Sequence, residues 1–442
     1  MKSQLEQNGL QNKKILIATV AADGHFKPLT GLAKYLSDIG CEVKWYTSGI
    51  YKNKLDSMGI VNYPFKFAKD INGETLNEIF PERNAFQTAG EKVNFDMINV
   101  FIEPGPDQLA DIIEIRKDFS FDAVIVDNMF PALPYLSARL DVPVVAIGII
   151  PLSEDDEELG PYGPGFYPPS THEEMMRMVE VRAMFREEVY KESTDRLITL
   201  LDAHGIAHKG VNFFDIMTKA PDRYLQIGTP SFEYTRSKPG ANIEFIGALL
   251  PYSDPRKEEK WTDERLKKYE KVLLVTQGTI EGDVSKLIIP TLETFKNSEY
   301  LVIVTTGGFE TEKLANDYPY DNVIIKDFIP FDQVMPHADV YITNGGYGGT
   351  LMAIGHHLPM VCAGLHEGKA EICARVGYFK YGIDLGTERP NHTQIKEAVE
   401  RVITDPQFKT NVIALAGEME HYDAPAICTS ILSELVSASK VS

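Results

Sequence analysis

The chain has 442 residues, of which 43% are hydrophobic and 24% are charged, and its formal net charge is −20 at pH 7. A chain of this length predicts two or three domains of roughly 100–200 residues each. The negative charge disfavours nucleic acid and anionic membranes as partners, because both repel an acidic surface.

Three features concern the compartment. The four cysteines are scattered without a C-x-x-C pair, which disfavours both a disulfide framework and a zinc site. Residues 1–14 are polar and lack the apolar core of a signal peptide. No apolar run reaches the ~18 residues that a membrane span requires. We therefore expect a soluble, cytoplasmic protein with no membrane span.

In the first half, apolar runs alternate with helical patterns. A strand is predicted over Ile15–Val20, followed by a helix over Pro28–Ile39 whose leucines recur at helical spacing. Gly40 is suited to cap that helix. Further strands are predicted at 41–47, 122–128 and 142–149. The five acids at 154–158 are expected to form a solvated loop rather than a metal site, and 171–205 to form one or two amphipathic helices.

The second half repeats this plan after a charged linker at 251–271. A strand over Val272–Thr276, a helix over Val284–Phe295 and a strand over Tyr300–Thr305 are predicted first. Further strands follow at 322–328, 338–344 and 358–364. Continuous apolar strands that alternate with helices are typical of buried parallel sheets. The predicted fold class is α/β, with two doubly wound Rossmann-like domains.

A candidate acid–base pair lies in the first half. His25 follows the first strand and Asp127 ends the strand AVIVD, and ligands of such sheets bind beyond the carboxyl ends of the strands. A carboxylate that accepts the Nδ1 proton leaves Nε2 free to take a proton from a hydroxyl. The alternative is that His25 is simply a polar residue in a turn.

A candidate phosphate site lies in the second half. The strand YITN opens into four glycines, Gly345, Gly346, Gly348 and Gly349, with a helix expected to begin near Thr350. Glycines allow close approach of the backbone, and a helix N-terminus favours an anion. A second glycine loop holds Gly278, and the run DFIPFDQV supplies aromatic faces for a base. The alternatives are a tight glycine turn and an ordinary core strand. No metal-binding motif is found, so we expect no metal and no cofactor.

These residues resemble a family. The G-H-x-x-P pattern at Gly24, His25 and Pro28, the pair Gly278-Thr279 and the run 337–361 resemble glycosyltransferases that use nucleoside-diphosphate sugars on small lipophilic acceptors such as flavonoids. The resemblance implies the two-domain GT-B fold, with an acceptor-binding domain at 1–240, a nucleotide-sugar domain at 241–424 and a C-terminal helix at 425–442 that crosses back onto the first domain. It is nearest to bacterial flavonoid glucosyl- and rhamnosyltransferases.

The resemblance also implies roles for individual residues. His25 matches the catalytic base and Asp127 its partner. The residues expected to contact the donor are Gly278, Thr279, Phe328, Ile329, Asn344, Gly345, Gly346, Gly348, Gly349, Thr350, Glu367, Lys369 and Glu371. Phe26 and Phe130 are expected to contact the acceptor. The donor is then a sugar nucleotide and the acceptor a small aromatic or lipophilic molecule.

The sequence departs from the family at three points. Asn344 stands where many relatives have a histidine, and an amide can donate a hydrogen bond but carries no charge. Met352 replaces a glutamate that accepts from the ribose hydroxyls. The usual sugar-reading pair is replaced by HEGKAEI at 366–372, in which Ala370 stands where asparagine is expected.

The expected function is inverting, metal-independent O-glycosyl transfer from a donor of the dTDP-rhamnose or UDP-glucose type. A catalytically silent sugar-nucleotide binder is one alternative, since it would not need His25 and Asp127 together. A Rossmann-type oxidoreductase is another, although the loop after Val20 lacks the dinucleotide glycine pattern.

Overall fold

In the computed structural model, described for residues 9–86, 89–254, 260–279, 281–366 and 368–438, two parallel sheets are each surrounded by helices. The predicted fold class, two doubly wound α/β domains, is confirmed. The first sheet has the order β3-β2-β1-β4-β5-β6-β7. Its strands are β1 (Lys14–Ala18), β2 (Glu42–Tyr46), β3 (Val61–Tyr63), β4 (Ala123–Asp127), β5 (Val144–Gly148), β6 (Arg223–Ile227) and β7 (Ile243–Gly247).

Nine α-helices accompany the first sheet in the described part of the chain. They are α1 (Asp23–Asp38), α2 (Lys52–Met58), α3 (Leu76–Ile79), α4 (Ala89–Phe101), α5 (Gly105–Asp118), α6 (Leu133–Arg139), α7 (His172–Met184), α8 (Lys191–Ala203) and α9 (Phe213–Lys219). A π-helical turn at Phe185–Val189 joins α7 to α8, so the helical pattern predicted over 171–205 is present. Helix α7 begins with a capping box between Thr171 and Glu174.

The second sheet has the order β10-β9-β8-β11-β12-β13. Its strands are β8 (Lys271–Thr276), β9 (Tyr300–Thr305), β10 (Val323–Lys326), β11 (Val340–Thr343), β12 (Met360–Cys362) and β13 (Gly382–Asp384). The helices that follow β8 are α10 (Ile288–Phe295), α11 (Thr311–Asp317), α12 (Phe331–Val334), α13 (Tyr347–Gly355), α14 (Lys369–Tyr378), α15 (His392–Thr404), α16 (Pro406–Met419) and α17 (Ala424–Ala438). Helix α10 begins later than the predicted Val284, because residues 284–287 form turns.

The strand order reverses direction between β1 and β4 in the first sheet and between β8 and β11 in the second. Each of these pairs is parallel and in register, with Ile17 opposite Ile125 and Val275 opposite Ile342. A crevice opens where neighbouring connections leave in opposite directions, and ligands of doubly wound sheets bind there. The fold therefore marks one candidate crevice in each half of the chain.

The acidic run at 154–158 is a solvated loop only in part, since Glu157 and Glu158 are exposed and the other three acids are not. Glu154 and Asp156 are buried and accept hydrogen bonds from Gly240 N (3.1 Å) and Ser237 N (3.0 Å). The Arg236 guanidinium donates to the carbonyl of Leu152 at 2.6 Å, and to that of Glu154. The expectation of a solvated loop fails for Glu154 and Asp156, because their hydrogen-bond partners lie about 80 residues further along the chain. No helix in the described ranges is both long and apolar enough to cross a membrane.

Helix α17 follows the second domain in sequence but packs against α1 and β7 of the first. A Cβ placed on Gly247 would lie 3.4 Å from the Tyr422 carbonyl, just ahead of this helix. Leu432 is fully buried in the apolar cluster that also holds Leu29 and Ile246. The helix therefore completes the core of the first domain, while the domain boundaries given above stay predictions.

We expect Leu432→Ala to lower the free energy of unfolding by about 2–5 kcal/mol, because it leaves a cavity under α17. Denaturant unfolding followed by tryptophan fluorescence measures this, since Trp45 lies in the same cluster. Ile413→Ala on α16 is the matched control, because Ile413 is exposed and its truncation should change stability by less than about 0.5 kcal/mol. Equal losses in both variants would contradict a buried role for Leu432.

Candidate active site

His25 lies in the first turn of α1, directly beyond the carboxyl end of β1. The helix begins at Asp23 and not at Pro28 as predicted, and the amides of His25 and Phe26 donate to the Ala22 carbonyl at 3.0 and 2.9 Å. Pro28 is inside the helix. The prediction was based on the helical spacing of the leucines, which begins at Leu29. It therefore missed the first turn of the helix, which precedes those leucines. The consequence is that His25 is fixed on a helix rather than carried by a loop.

Asp127 ends β4 and its carboxylate is fully buried. One oxygen lies 2.8 Å from His25 Nδ1 and accepts from Met129 N at 2.9 Å, and the other accepts from Val20 N at 2.8 Å. Asp127 therefore joins the ends of β1 and β4 to the first turn of α1.

The His25 side chain retains 15% of its accessible surface. With Nδ1 occupied by Asp127, Nε2 is the ring nitrogen available to a ligand, and a buried carboxylate behind the ring stabilises the imidazolium form. The structure thus brings together the two residues that the sequence pairs, at the point where the strand order reverses. Their arrangement suits a general base.

Phe26 and Phe130 do not suit the acceptor role predicted for them. Phe26 is 1% exposed and stacks on Tyr51 with ring centroids 3.9 Å apart. Phe130 is fully buried against Tyr46. Both rings belong to the core of the first domain, and buried rings contact other side chains rather than ligands. The prediction that Phe26 and Phe130 contact the acceptor is therefore wrong, because both rings are buried.

An aromatic residue that the sequence analysis missed lies beside His25. The ring of Phe101, at the end of α4, has its centroid 6.1 Å from that of the imidazole and is only partly buried. It lies about 76 positions from His25 in sequence (101 − 25), and no motif marks it. Only the fold brings the two rings together.

The glycine loop of the second domain leads directly into α13. Gly345 has a φ of +84°, and a Cβ there would lie 2.6 Å from Cys373 Sγ, so the position requires glycine. A Cβ on Gly346 or Gly348 would meet no atom within 4 Å, whereas one on Gly349 would meet the Tyr341 hydroxyl at 2.6 Å. Open space beside Gly346 and Gly348, at a helix N-terminus, is suited to an anion.

Thr350 does not cap this helix, contrary to the prediction. The helix begins at Tyr347 with Gly346 at the N-cap, and Thr350 is fully buried in the second turn. Its amide donates to the Gly346 carbonyl at 2.9 Å. Its hydroxyl has no hydrogen-bond partner within the described part of the chain. The helix therefore includes Gly348 and Gly349 and begins about one turn before the predicted start near Thr350.

Asn344 joins the two glycine loops. Its Nδ2 donates to the Gln277 carbonyl at the end of β8, and a Cβ on Gly278 would lie 3.8 Å from its Oδ1. Gln277, which the sequence analysis missed, accepts from Leu287 N at 3.1 Å and Ile288 N at 2.9 Å. The Asn344 amide therefore holds the crevice between β8 and β11, and Thr279 is exposed beside it.

Phe328 and Ile329 follow β10 on the same edge of the sheet. Phe328 is 65% exposed, unusually high for a phenylalanine, whereas Ile329 is buried. An exposed aromatic face beyond the carboxyl end of a strand is suited to stacking with a planar base. Their placement is compatible with the prediction for both residues.

The three candidates for reading the sugar differ. Glu367 lies outside the described residues. Lys369 begins α14, and its carbonyl would lie 3.3 Å from a Cβ on Gly345. Burial raises the pKa of the nearby Glu281 carboxyl, but Lys286, the Asp283 amide and, most weakly, Lys369 together outweigh it and hold this pKa below its ordinary value. The charge of Lys369 therefore acts on Glu281, three residues beyond Gly278.

Glu371 does not suit the sugar-reading role. It is 4% exposed, and its carboxylate accepts from Arg375 Nη1 at 2.8 Å and from Gly163 N at 2.6 Å. Its oxygens are therefore occupied by the protein itself. The sequence shows an acid and a base four residues apart on one helix, which is the signal that would have pointed to this ion pair. In the described ranges, no group of three or more His, Cys, Asp or Glu is arranged to hold a metal ion.

Comparison with characterised proteins identifies the class. The chain is 29% identical to 4'-demethylrebeccamycin synthase of Lentzea aerocolonigenes, over 96% of this chain and 99% of that protein. It is 27% identical to UDP-glycosyltransferase 2 of Phaeomoniella chlamydospora over 96% of both chains. Among solved structures, a calicheamicin glycosyltransferase superposes with a TM-score of 0.72 at 20% identity, covering 96% of this chain and 98% of that one. A spinosyn rhamnosyltransferase complexed with thymidine diphosphate gives 0.65 at 15% identity, covering 95% and 99%.

The chain is a glycosyltransferase with the GT-B fold. More particularly, residues 292–435 match the family model described as erythromycin biosynthesis protein CIII-like, C-terminal domain. The matched segment runs from α10 to α17 and includes the glycine loop. The comparisons support this broader relationship, and the nearer relationship to flavonoid glycosyltransferases expected from the sequence stays a prediction.

We expect His25→Ala to lower kcat by roughly 10²–10⁴-fold, because the acceptor hydroxyl loses its base. Asp127→Asn should lower kcat less, since the imidazole keeps its place but loses the charge behind it. Steady-state kinetics together with calorimetric binding of the free nucleoside diphosphate measure both effects, and nucleotide affinity should stay unchanged. Near-full turnover by His25→Ala on an unactivated hydroxyl would contradict the role of His25.

Proposed function

We propose that the chain is an inverting, metal-independent O-glycosyltransferase. It transfers a sugar from a nucleoside diphosphate to a hydroxyl of a small, lipophilic phenolic acceptor such as a flavonoid. The observation that carries the proposal is the 2.8 Å contact between His25 Nδ1 and the buried Asp127 carboxylate at the reversal point of the first sheet. A silent sugar-nucleotide binder has no need of a buried carboxylate behind a partly exposed histidine.

The chemistry follows from this pair. His25 Nε2 takes the proton of the acceptor hydroxyl as the oxygen attacks the anomeric carbon of the sugar. The bond from that carbon to the diphosphate breaks, and its electron pair leaves with the diphosphate. Attack opposite the leaving group inverts the anomeric configuration. Asp127 stabilises the imidazolium that forms, as expected of a buried carboxylate on the far ring nitrogen.

The departing diphosphate needs compensation for its charge. The amides at the start of α13, beside Gly346 and Gly348, and the Lys369 ammonium supply it in this proposal. Asn344 contributes through the shape of the crevice, because its amide already donates to the Gln277 carbonyl. Electrostatic stabilisation of this kind replaces a divalent cation.

Support for the two substrates comes from different observations. A donor of the UDP-glucose type is supported by relatives named as UDP-glucosyltransferases, at 25–27% identity over most of the chain. The dTDP-rhamnose alternative rests on Met352, which cannot accept a hydrogen bond from a ribose hydroxyl. The acceptor class is supported by the position of the Phe101 ring next to the imidazole. A planar phenol that stacks on this ring would bring its hydroxyl near His25.

A panel of donors tests the proposal. UDP-glucose and dTDP-rhamnose are each incubated with a flavonol, and the product mass and the released nucleotide are measured. A mass increase of one hexose or deoxyhexose unit is expected, and His25→Ala is the matched control. Absence of product with every donor and acceptor, from protein that binds nucleotide, would contradict the proposal and favour a silent binder.

We expect transfer to persist in excess EDTA, because amides and a lysine, rather than a carboxylate-bound cation, stabilise the diphosphate. Initial rates before and after chelation measure this, and a divalent-dependent glycosyltransferase serves as the control for effective chelation. Loss of activity that Mn²⁺ restores would show that the diphosphate site is incomplete as described.

We expect UDP to bind with less than about a tenfold advantage over dTDP. UDP has a ribose 2′-hydroxyl that dTDP lacks, and a hydrogen bond from that hydroxyl to a charged acceptor would favour UDP by ~1.5–3 kcal/mol. Met352 cannot accept such a bond, so this advantage should be absent. Met352 is only partly buried and packs at the edge of the apolar cluster, one turn into α13. Competition calorimetry on the unliganded protein measures the ratio. Met352→Glu should raise the preference for UDP. A tenfold or greater preference for UDP in the unaltered protein would overturn the donor prediction alone.

A further inference from the structure

A segment of the first domain lies along a helix of the second. Residues 160–167, which we call the crossing segment, follow β5, yet they contact α14 and the residue before it. A Cβ on Gly368 would lie 3.1 Å from the Tyr162 hydroxyl, and a Cβ on Gly165 would meet the carbonyl of Ala370. These contacts fall at the end of α14 that adjoins the glycine loop.

A buried Glu–Arg–Glu triad holds this arrangement together. Arg375 of α14 is 1% exposed, and its Nη2 lies 2.7 Å from Glu233 of the first domain, while Nη1 lies 2.8 Å from Glu371 of its own helix. The guanidinium also lies over the Tyr234 ring at 4.4 Å. One cation is therefore shared between carboxylates from the two halves of the chain.

The remaining carboxylate oxygens of the triad are also occupied. Glu371 Oε1 accepts from the amides of Gly163 at 2.6 Å and Gly165 at 3.0 Å in the crossing segment. Glu233 Oε1 accepts from Leu152 N at 2.8 Å. Buried charges are tolerated only when paired and hydrogen-bonded in this way, so the geometry of the triad is strongly specified.

The triad is linked to both parts of the candidate active site. On one side, Leu152 follows β5, and Ile149 N at the start of that connection donates to Asn128 Oδ1 at 3.1 Å, next to Asp127. On the other side, Glu371 is two residues from Lys369, whose carbonyl would lie 3.3 Å from a Cβ on Gly345 of the glycine loop. Hydrogen bonds, ion pairs and short stretches of backbone therefore link the His25–Asp127 pair to the donor side.

We propose that Glu371 and Arg375 are positioning residues that hold the crossing segment on α14 and thereby fix the distance between His25 and the bound donor. The inference rests on the function proposed above. Neither residue touches the reacting atoms. Their effect is geometric, because an acceptor hydroxyl misplaced by about 1 Å from the anomeric carbon can lower the rate ~10²-fold.

Two conservative variants test the proposal. Glu371→Gln keeps an oxygen for the Gly163 amide but removes the charge, and Arg375→Lys keeps the charge but loses the fork that reaches both carboxylates. We expect kcat to fall roughly 10–100-fold in each. The Kd for UDP, measured by calorimetry, should change by less than about threefold, because donor contacts remain. The share of donor lost to hydrolysis should rise, since water can replace a misplaced acceptor.

The matched control is Val399→Ala on α15, which creates a cavity in the core of the second domain away from the crossing segment. Its melting temperature should fall, with kcat unchanged at a temperature where the protein is folded. Arg375→Ala should be more damaging than Arg375→Lys. Hydrogen exchange at Gly163 and Gly165 should quicken in Glu371→Gln and not in Val399→Ala.

Two results would overturn the positioning role. One is an unchanged kcat and unchanged hydrolysis in both triad variants. The other is a loss of UDP affinity that matches the loss of kcat, which would make Glu371 a donor contact. If Glu371→Gln fails to fold, Arg375→Lys decides the question by the same criteria. Absence of transfer by the unaltered protein would instead defeat the proposed function and, with it, this role.

Discussion

The strand order of the two parallel sheets is the constraint on which the rest of the structure depends. Parallel strands deliver all their following loops to one edge, and the reversal of order at β1/β4 and at β8/β11 separates those loops into a crevice. The first reversal places His25 beside Asp127, and the second places Gly278 beside Asn344. In the two described sheets, no other pair of neighbouring strands is followed by connections that run in opposite directions along the sheet. The two chemical halves of the enzyme therefore arise from one topological rule applied twice.

Two buried carboxylates, Asp127 and Glu371, are surrounded in similar ways but differ in the side chain that pairs with them. Asp127 and Glu371 are both nearly inaccessible, and in both the oxygens are held by backbone amides and one cationic or ionisable partner. The partner decides the consequence. The partner of Asp127 is a histidine whose second ring nitrogen is free, which suits proton transfer. The partner of Glu371 is an arginine with no removable proton, which suits a rigid contact. In the two proposals above, equal burial thus serves proton transfer in one place and rigid positioning in the other.

Much of the fold followed from local sequence. Tyr300–Thr305 was predicted with its observed ends, and most other core strands to within two residues or so, because buried parallel strands are continuous apolar runs. The contact between His25 and Asp127 followed from the same logic, since both were assigned to strand ends. The start of α1 did not, because its first turn carries no apolar periodicity. The burial of Phe26 and Phe130, the position of Phe101 and the partners of Glu371 depend on packing between distant segments, which residue type and spacing do not encode.

The return of α17 to the first domain has a consequence for synthesis of the chain. β7 ends at Gly247 and α17 begins at Ala424, so about 180 residues separate the first domain from its last helix (424 − 247 = 177). At ~5–20 residues per second, a ribosome needs roughly 9–35 s to produce them. Throughout that interval the apolar surface of α1 and β7 that α17 later covers stays open to solvent. The first domain is thus made first and completed last, because its core lacks α17 until the end of the chain has been synthesised.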